Sequence, residues 1–500
     1  MRENLADIEK NALKWLKSQL KKNNLVFLKS SIDDSIYRYL TNKSLMASLN
    51  KQYCFLKTEY ESDKQAFMAN LWVILFQFLN LSFDNEWYLI GEYAYKLNLE
   101  NFSLTNQQIS IQTKKKSNRS IKILSDIEII AIYDKDFDGK PIVEKKFLET
   151  SYYLPRTEYL VIQASLNDYK VYKDELVSFI QSSERDEDYI KQYFMNNNNP
   201  VLLARLIGAL RQLEDFSLRI DLEEIAKLSG SKVSVTNPFE DFQVLSSIER
   251  PAYLNRFQIS MDKAIKALSK LKLPRRLAKK VTAKDIDGII TDDAYHSLTI
   301  EGYTVTKALI SYLAENDENT AEQFPQDLRN QLAAKGFMNV LTYIKKLISS
   351  SFSINERLVA RLFEELWKPS MSADIVSPTD IYRKHMVTIR GALHVPPAYE
   401  KVPYLIDELF EKTKEIENGF CLAIFLHFFY VGVHPHSDGN GRISRFLMNL
   451  AFINDKYKWL TIPSYERKNY FSALEKSQVE DDISYFAEFI LDTYKKDLDL

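Results

Sequence analysis

The stretch HPHSDGNGRISR, His434 to Arg445, follows the apolar run CLAIFLHFFYVGV (421–433) and precedes FLMNLAFI (446–453). It holds two of only 12 glycines in 500 residues, beside two histidines, an aspartate and two arginines. Ile443, Phe446, Leu447, Leu450 and Ile453 recur at spacings of three and four and predict a helix. Gly439, Asn440 and Gly441 then fall at its start. A helix start presents unpaired N–H groups and a positive dipole end, so it binds anions. Glycine lets the backbone approach a phosphate closely. Arg442 and Arg445, three apart, share a helix face, and paired guanidiniums beside an anion hole suit a polyphosphate. Asp438 offers a hard oxygen, and one carboxylate with phosphate oxygens and waters is a usual way to hold Mg²⁺. His434, ending the apolar run four residues before Asp438, stands where a general base would be rigidly held.

The rest of the composition bounds the setting. Five hundred residues predict two to four domains. Net charge is −2, from 66 basic and 68 acidic residues, so nothing global points to nucleic acid or membrane. The two cysteines, Cys54 and Cys421, fit neither a disulfide framework nor a zinc site, and the charged N-terminus has no signal-peptide core. No apolar run approaches 18 residues. A cytoplasmic protein is expected. All six histidines lie between 296 and 436, so imidazole chemistry belongs to the C-terminal half.

Along the chain, residues 1–60 mix an amphipathic helix with an alternating segment and read as a small helical or winged-helix-like part. Residues 61–240 read as an α+β domain, with strand-like QQISIQT, SIKIL and IEIIAIY before helical spacing at 152–230. LSGSKVSVTNPFED (228–241) reads as a linker. Beyond it the pattern is almost wholly helical, with a helical region at 241–370 and a core at 371–500. KHMVTIRGALHVPP (384–397), with its alternation, Gly391 and terminal prolines, predicts a short hairpin or flap. DKDFDG (134–139) starts like a calcium loop, but its twelfth position is Lys145, so a turn is expected. KKKSNR (114–119) reads as a solvated hairpin tip and LPRRLAKK (273–280) as a solvated helix face.

The loop at 434–445 resembles the motif of the Fic (filamentation-induced-by-cAMP) family, His-Pro-Phe-x-Asp/Glu-Gly-Asn-Gly-Arg-x-x-Arg, at every position but the third, where His436 replaces Phe. The resemblance covers about residues 285–500. It implies a helical fold with a β-hairpin flap, and a protein adenylyltransferase that moves AMP from ATP to a Ser, Thr or Tyr hydroxyl of a target protein. In that reading His434 is the base and Asp438 holds Mg²⁺. The nucleotide lies on Gly439, Asn440, Gly441, Arg442, Ile443, Ser444 and Arg445, with Arg445 reaching the terminal phosphate. The flap, Ile389, Arg390, Gly391, Ala392, Leu393 and His394, would dock the target as an added strand. Tyr470 or Phe471 would stack on the adenine. His436 either packs in place of Phe or competes as base, and the matching position favours His434.

SLTIEG, Ser297 to Gly302, is similar to the family's inhibitory pattern Ser/Thr-x-x-x-Glu-Gly/Asn, N-terminal to the motif in the same chain. Ser297 and Glu301 share one helix face, Asp292 or Asp293 would cap its start, and Gly302 would break its end. Glu301 would pair with Arg445 and misalign ATP, and misplacement of about 1 Å costs roughly 100-fold in rate. The resemblance also allows Glu301 to assist removal of the modification. Transfer of UMP, GMP or phosphocholine is the enzymatic alternative. In the N-terminal half, QYCFLK and WYLIGEYAYKLNLENF are similar to abortive-infection antitoxin regulators, which bind DNA through a winged helix. A DNA-binding or phage-defence regulator whose C-terminal half modifies itself is therefore the third reading. A homodimer is compatible with all three.

Overall fold

The segment LWVILFQFLNLSF is apolar on every side, so it has no face to give to water and must be wrapped by other elements. In a computed structural model of the chain it forms the helix Leu71–Phe83, with nine of its 13 residues buried. The structure describes residues 5–57, 62–116, 118–230, 233–239, 250–315, 328–372 and 380–498. These divide into two compact units, Met1–Arg256 with Thr388–Val395, and Phe257–Val387 with Pro396–Leu500.

The first unit is α+β. Strands β1 (Val26–Leu28), β2 (Met46–Ser48) and β3 (Tyr53–Leu56) form an antiparallel sheet in the order β1-β3-β2. A second sheet runs β4-β5-β7-β6, from β4 (Trp87–Leu89), β5 (Gln108–Thr113), β6 (Arg119–Lys122) and β7 (Glu128–Tyr133). Its β5–β7 pair is parallel, with Gln108 opposite Glu128. β8 (Ile142–Phe147) and β9 (Thr150–Pro155) make a hairpin. The helix Leu71–Phe83 anchors this core: Trp72 donates to the Phe102 carbonyl at 2.6 Å and Phe76 stacks on Tyr152 at 4.7 Å. The calcium-like stretch is a turn, and Asp134 is buried, accepting from the Tyr88 hydroxyl at 2.6 Å. Lys114 and Lys115 pair with Glu86, Asp138 and Asp84, so that basic tip is charge-compensated. The part read as separate at 1–60 lies in the same unit as 61–240. The predicted linker at 228–241 falls partly outside the described residues, and where described Phe239 is buried against Tyr169.

Of the segment predicted as a hairpin, residues 388–395 belong to this first unit, and they differ from expectation. Residues 388–395 contain no strand; they form one tight turn, in which Ala392 donates to the Ile389 carbonyl at 3.0 Å and Gly391 takes φ +78°. Pro396 and Pro397 supply no ladder N–H, which ends pairing on that side. Leu104 N–H donates to the Leu393 carbonyl at 3.0 Å, and Ser103 Oγ lies 3.1 Å from His394 Nδ1.

The second unit is helical: α1 (Ile290–Ile300), α2 (Leu328–Leu347), α3 (Glu356–Ser372), α4 (Val402–Thr413), α5 (Gly419–Val433), α6 (Asn440–Asn454), α7 (Arg467–Glu480) and α8 (Ser484–Leu498). α5 is apolar all round and sits at the centre, capped by Asn418, which accepts from Phe420 and Cys421 N–H at 2.9 and 3.2 Å. α6 packs along it, with Phe420 against Phe452 at 4.9 Å, so the connection between two buried helices is held from both sides. Among the described residues no single helix is long and apolar enough to cross a membrane.

Candidate active site

α5 ends at His434, whose backbone is left-handed, φ 53° and ψ 58°, while its N–H still donates to the Tyr430 carbonyl at 3.1 Å. That conformation costs a β-carbon-bearing residue roughly 1–2 kcal/mol and turns the chain sharply out of the helix. Arg383, buried, fixes the turn: its Nε donates to the His434 carbonyl at 2.9 Å and its N–H to the Pro435 carbonyl at 2.8 Å.

His436 is fully buried. Its ring stacks on Phe363 at 4.4 Å, Nε2 lies 2.5 Å from the Tyr430 hydroxyl, and Nδ1 meets the Ile381 carbonyl. Burial pushes its pKa down to about 3, so it is neutral, donating from Nδ1 and accepting at Nε2. His436 is thus a packed, fully satisfied ring and no rival to His434. Asn440, 2% exposed, closes the loop beside it, accepting from His436 N–H at 2.9 Å and donating to the His436 carbonyl at 2.8 Å. Its side chain braces the loop and leaves phosphate contact to backbone amides.

Gly439 caps α6 with φ +91°, and the next amides open the helix with no intrahelical acceptor. Asp438 has a half-exposed side chain that accepts from Gly439 N–H at 2.5 Å and from Arg442 Nη2 at 3.4 Å. The side chains of Ile443 and Ser444 are buried, and Ser444 Oγ donates to the Gly441 carbonyl at 2.9 Å, so both would offer an anion only backbone. Arg442, 1% exposed, lies between the Tyr303 and Trp367 rings, 5.1 Å from each.

Arg445, 5% exposed, is held by α1. Its Nε donates to Ser297 Oγ at 2.8 Å, and its Nη2 to the Ser297 carbonyl at 3.3 Å and to Glu301 Oε1 at 2.6 Å. Glu301 Oε1 also presses on the first turn of α6: a β-carbon on Gly441 would come within 2.3 Å of it. A carboxylate therefore lies against the helix start that the sequence assigns to phosphate. Burial alone would raise the Glu301 pKa, but Arg445, with smaller help from Arg442 and His434, holds it below the ordinary carboxylate value. Gly302, φ +87°, breaks the helix just after it, as the sequence predicts.

Two assignments on this helix and beyond need correction. Asp293 does not cap α1; the capping position is Ile289 without a side-chain bond. Asp293 lies one turn in, buried, accepting from Thr461 Oγ1 at 3.0 Å, and Asp292 pairs with Lys307. Tyr470 has no face for an adenine: it is 1% exposed, its hydroxyl 2.9 Å from His427 Nε2. Phe471, 37% exposed, keeps an accessible ring, shared with Arg467 at 4.9 Å.

Among the described residues no cluster of three or more His, Cys, Asp or Glu could hold a metal alone. Asp438, exposed beside the helix start, fits the one-carboxylate share of a Mg²⁺–phosphate site. The residues sequence reasoning missed are Arg383, Tyr303, Trp367 and His427. Tyr303 directly follows Gly302, and Trp367 is one of five tryptophans, the only local signals either gave.

These features bring together an open helix start, two buried guanidiniums and an in-chain carboxylate set against them. The Fic/DOC family profile matches residues 351–452. The proteins named protein adenylyltransferase Fic from Drosophila persimilis and Drosophila melanogaster are each 30% identical over 217 residues, 41% of this chain and 39% and 41% of theirs. The chain thus spans about two fifths of the length of the curated relatives it matches. Among solved structures, a Fic domain containing signaling protein from Bacteroides thetaiotaomicron is 20% identical, covering 48% of this chain and 94% of its own, with TM-score 0.36. Fic-1 from C. elegans is 16% identical, covering 69% and 89%, also with TM-score 0.36.

Proposed function

We propose that the chain is a protein adenylyltransferase restrained by its own Glu301. The observation that carries the reading is the Glu301 carboxylate, seated against Gly441 and bonded to Arg445 at 2.6 Å. A helix start that accommodates one anion in this way is built to take another, and the relatives named above are adenylyltransferases.

ATP would place its phosphates on the amides that open α6, with Arg442 and Arg445 on the distal ones, once Glu301 yields Arg445. His434 would take the proton of a target Ser, Thr or Tyr hydroxyl. The hydroxyl oxygen bonds the α-phosphorus, the bond from that phosphorus to the β-bridging oxygen breaks, and its electron pair leaves with pyrophosphate. Mg²⁺, which Asp438 would help hold, supplies charge neutralisation on the phosphates. The amides and guanidiniums stabilise the developing charge without rearranging.

The test incubates wild type, Glu301→Gly and His434→Ala with Mg²⁺ and each nucleoside triphosphate, and weighs the intact protein. The expected outcome is AMP-sized increments on Glu301→Gly with ATP and none on His434→Ala. Increments from another triphosphate would reassign the transferred group. A Glu301→Gly protein as inert as His434→Ala with every nucleotide would refute both transfer and restraint.

A further inference from the structure

The Trp367 side chain turns two different surfaces to the start of α6. Its ring face carries the Arg442 guanidinium, 5.1 Å from the centroid. Its edge lies over the N-cap: Nε1 is 3.4 Å from where a β-carbon on Gly439 would stand. Arg442 Nη2 is 3.7 Å from that same point. Trp367 is 8% exposed, and its Nε1 is buried with no hydrogen-bond partner. Buried indole N–H groups ordinarily find an acceptor, as Trp72 does at the Phe102 carbonyl and Trp87 at Asn80 Oδ1. Two more buried donors at this helix start are unmatched. They are Arg442 Nε and Arg445 Nη1, the second 3.2 Å from the β-carbon position of Gly441. Glu301 answers Arg445 Nη2 but leaves Trp367 Nε1 without an acceptor. An indole N–H donates and never accepts, so only an acceptor satisfies it. With a guanidinium nitrogen beside it, the acceptor that fits best is negatively charged.

We propose that Trp367 is a further binding residue of this site, whose Nε1–H donates to an oxygen of a phosphate seated over Gly439 and shared with Arg442. This rests on the nucleotide reading above and deepens it. Arg445, beside Gly441, serves a different phosphate, so a ligand needs at least two linked phosphates to engage both. The guanidiniums contribute charge. The neutral indole contributes direction, fixing which oxygen of its phosphate turns to the wall formed by α3.

The test reads the indole directly. The full chain carrying Glu301→Gly, labelled with ¹⁵N, is titrated with ATP and with inorganic tripolyphosphate, each with Mg²⁺. Five tryptophans give five indole N–H signals, and that of Trp367 is the one lost in Trp367→Phe. It is expected to move downfield, and to exchange more slowly with water, under both ligands. The signals of Trp72 and Trp87, already hydrogen-bonded in the other unit, are expected to stay in place. Tripolyphosphate has no ring, so a shift it causes does not come from adenine. Dissociation constants supply the second reading. Trp367→Phe, which keeps an aromatic face for Arg442, is expected to weaken ATP about tenfold, the scale of one hydrogen bond to a charged group. Trp367→His, smaller than tryptophan but still with a ring N–H, is expected to lose no more than about threefold. A Trp367 signal unmoved by bound ATP, or equal losses in Trp367→Phe and Trp367→His, would overturn the proposal while the Glu301→Gly parent still bound ATP. Were tripolyphosphate too weak to bind, the ATP titration would decide. Should Trp367→Phe fail to fold, Trp367→His assigns the signal and the titration of the parent decides. A parent that bound no triphosphate would instead overturn the nucleotide reading, and this inference with it.

Discussion

Arg442 and Arg445 sit three residues apart on α6, both almost wholly buried, in opposite surroundings. Arg445 is met by hydrogen-bonding oxygens from α1: Ser297 Oγ, the Ser297 carbonyl and the Glu301 carboxylate. Arg442 is met by two aromatic faces, Tyr303 and Trp367, and by Asp438 only at 3.4 Å. An ionic partner can be exchanged for another anion at little net change in charge. A pair of rings cannot be exchanged for anything a ligand brings. The first guanidinium is thus a contact that can exchange partners, the second a fixed part of the wall.

The strongest way to break this contrast is to remove one partner from each side. Glu301→Gln should raise the rate of AMP incorporation by roughly 100-fold, the scale of a lost misalignment, whereas Trp367→Leu should not raise it at all. Time courses of intact mass decide, and an equal rise from Trp367→Leu would erase the distinction. Stability gives the next effect in size. Arg445→Leu should cost about 2–3 kcal/mol in denaturant unfolding. That is below the usual figure for a broken buried pair, because the Glu301 side chain is 27% exposed and partly screened by water.

The pH dependence separates Asp293, in α1, from Glu301, which caps its end. Glu301 has a lowered pKa, so its pair with Arg445 contributes stability above the ordinary value of 4.5 and loses it as pH falls through the lowered one. Asp293 has a pKa raised by burial from 3.8 to about 6. Between those values the native chain holds a proton that the unfolded chain has released, so its contribution is full below pH 3.8 and declines as pH rises through about 6. The loss is on the order of 3 kcal/mol. Melting of wild type against Asp293→Asn from pH 4 to 7 should show the slope in wild type alone. A flat wild-type profile would return Asp293 to an ordinary environment. The smallest effect lies on the aromatic side: Trp367→Leu, with Tyr303 still in place, should lower stability by about 1 kcal/mol beyond its lost apolar area, as one cation–π contact.

How far the sequence spoke also differs between regions. Loop 434–445 was legible as a helix start because its apolar spacing and glycines mark one, the Gly302 break followed from its letter, and the Glu301–Arg445 pair followed from the resemblance of SLTIEG to the inhibitory pattern. What the letters could not give were contacts made across the fold. Arg383 lies 51 positions before His434, whose carbonyl it binds, and nothing periodic marks it. His436 looked anomalous because the compensating partners, Tyr430, Phe363 and Ile381, come from three separate segments. Tyr470 looked like a stacking residue because sequence supplies a ring but not its burial. The α+β character of the first unit was readable from alternation, yet the parallel β5–β7 pair was not, since parallel pairing leaves no turn signature between its strands.

Gly441 carries a consequence for how such a chain can change over time. The same missing side chain that leaves the start of α6 open also gives Glu301 its seat, with 2.3 Å to where a β-carbon would stand. A substitution there would evict the guard and wall up the doorway in one stroke. A lineage seeking a permanently active descendant therefore has to edit α1, 140 positions away (441 − 301), and variation at the doorway itself leads only to silence.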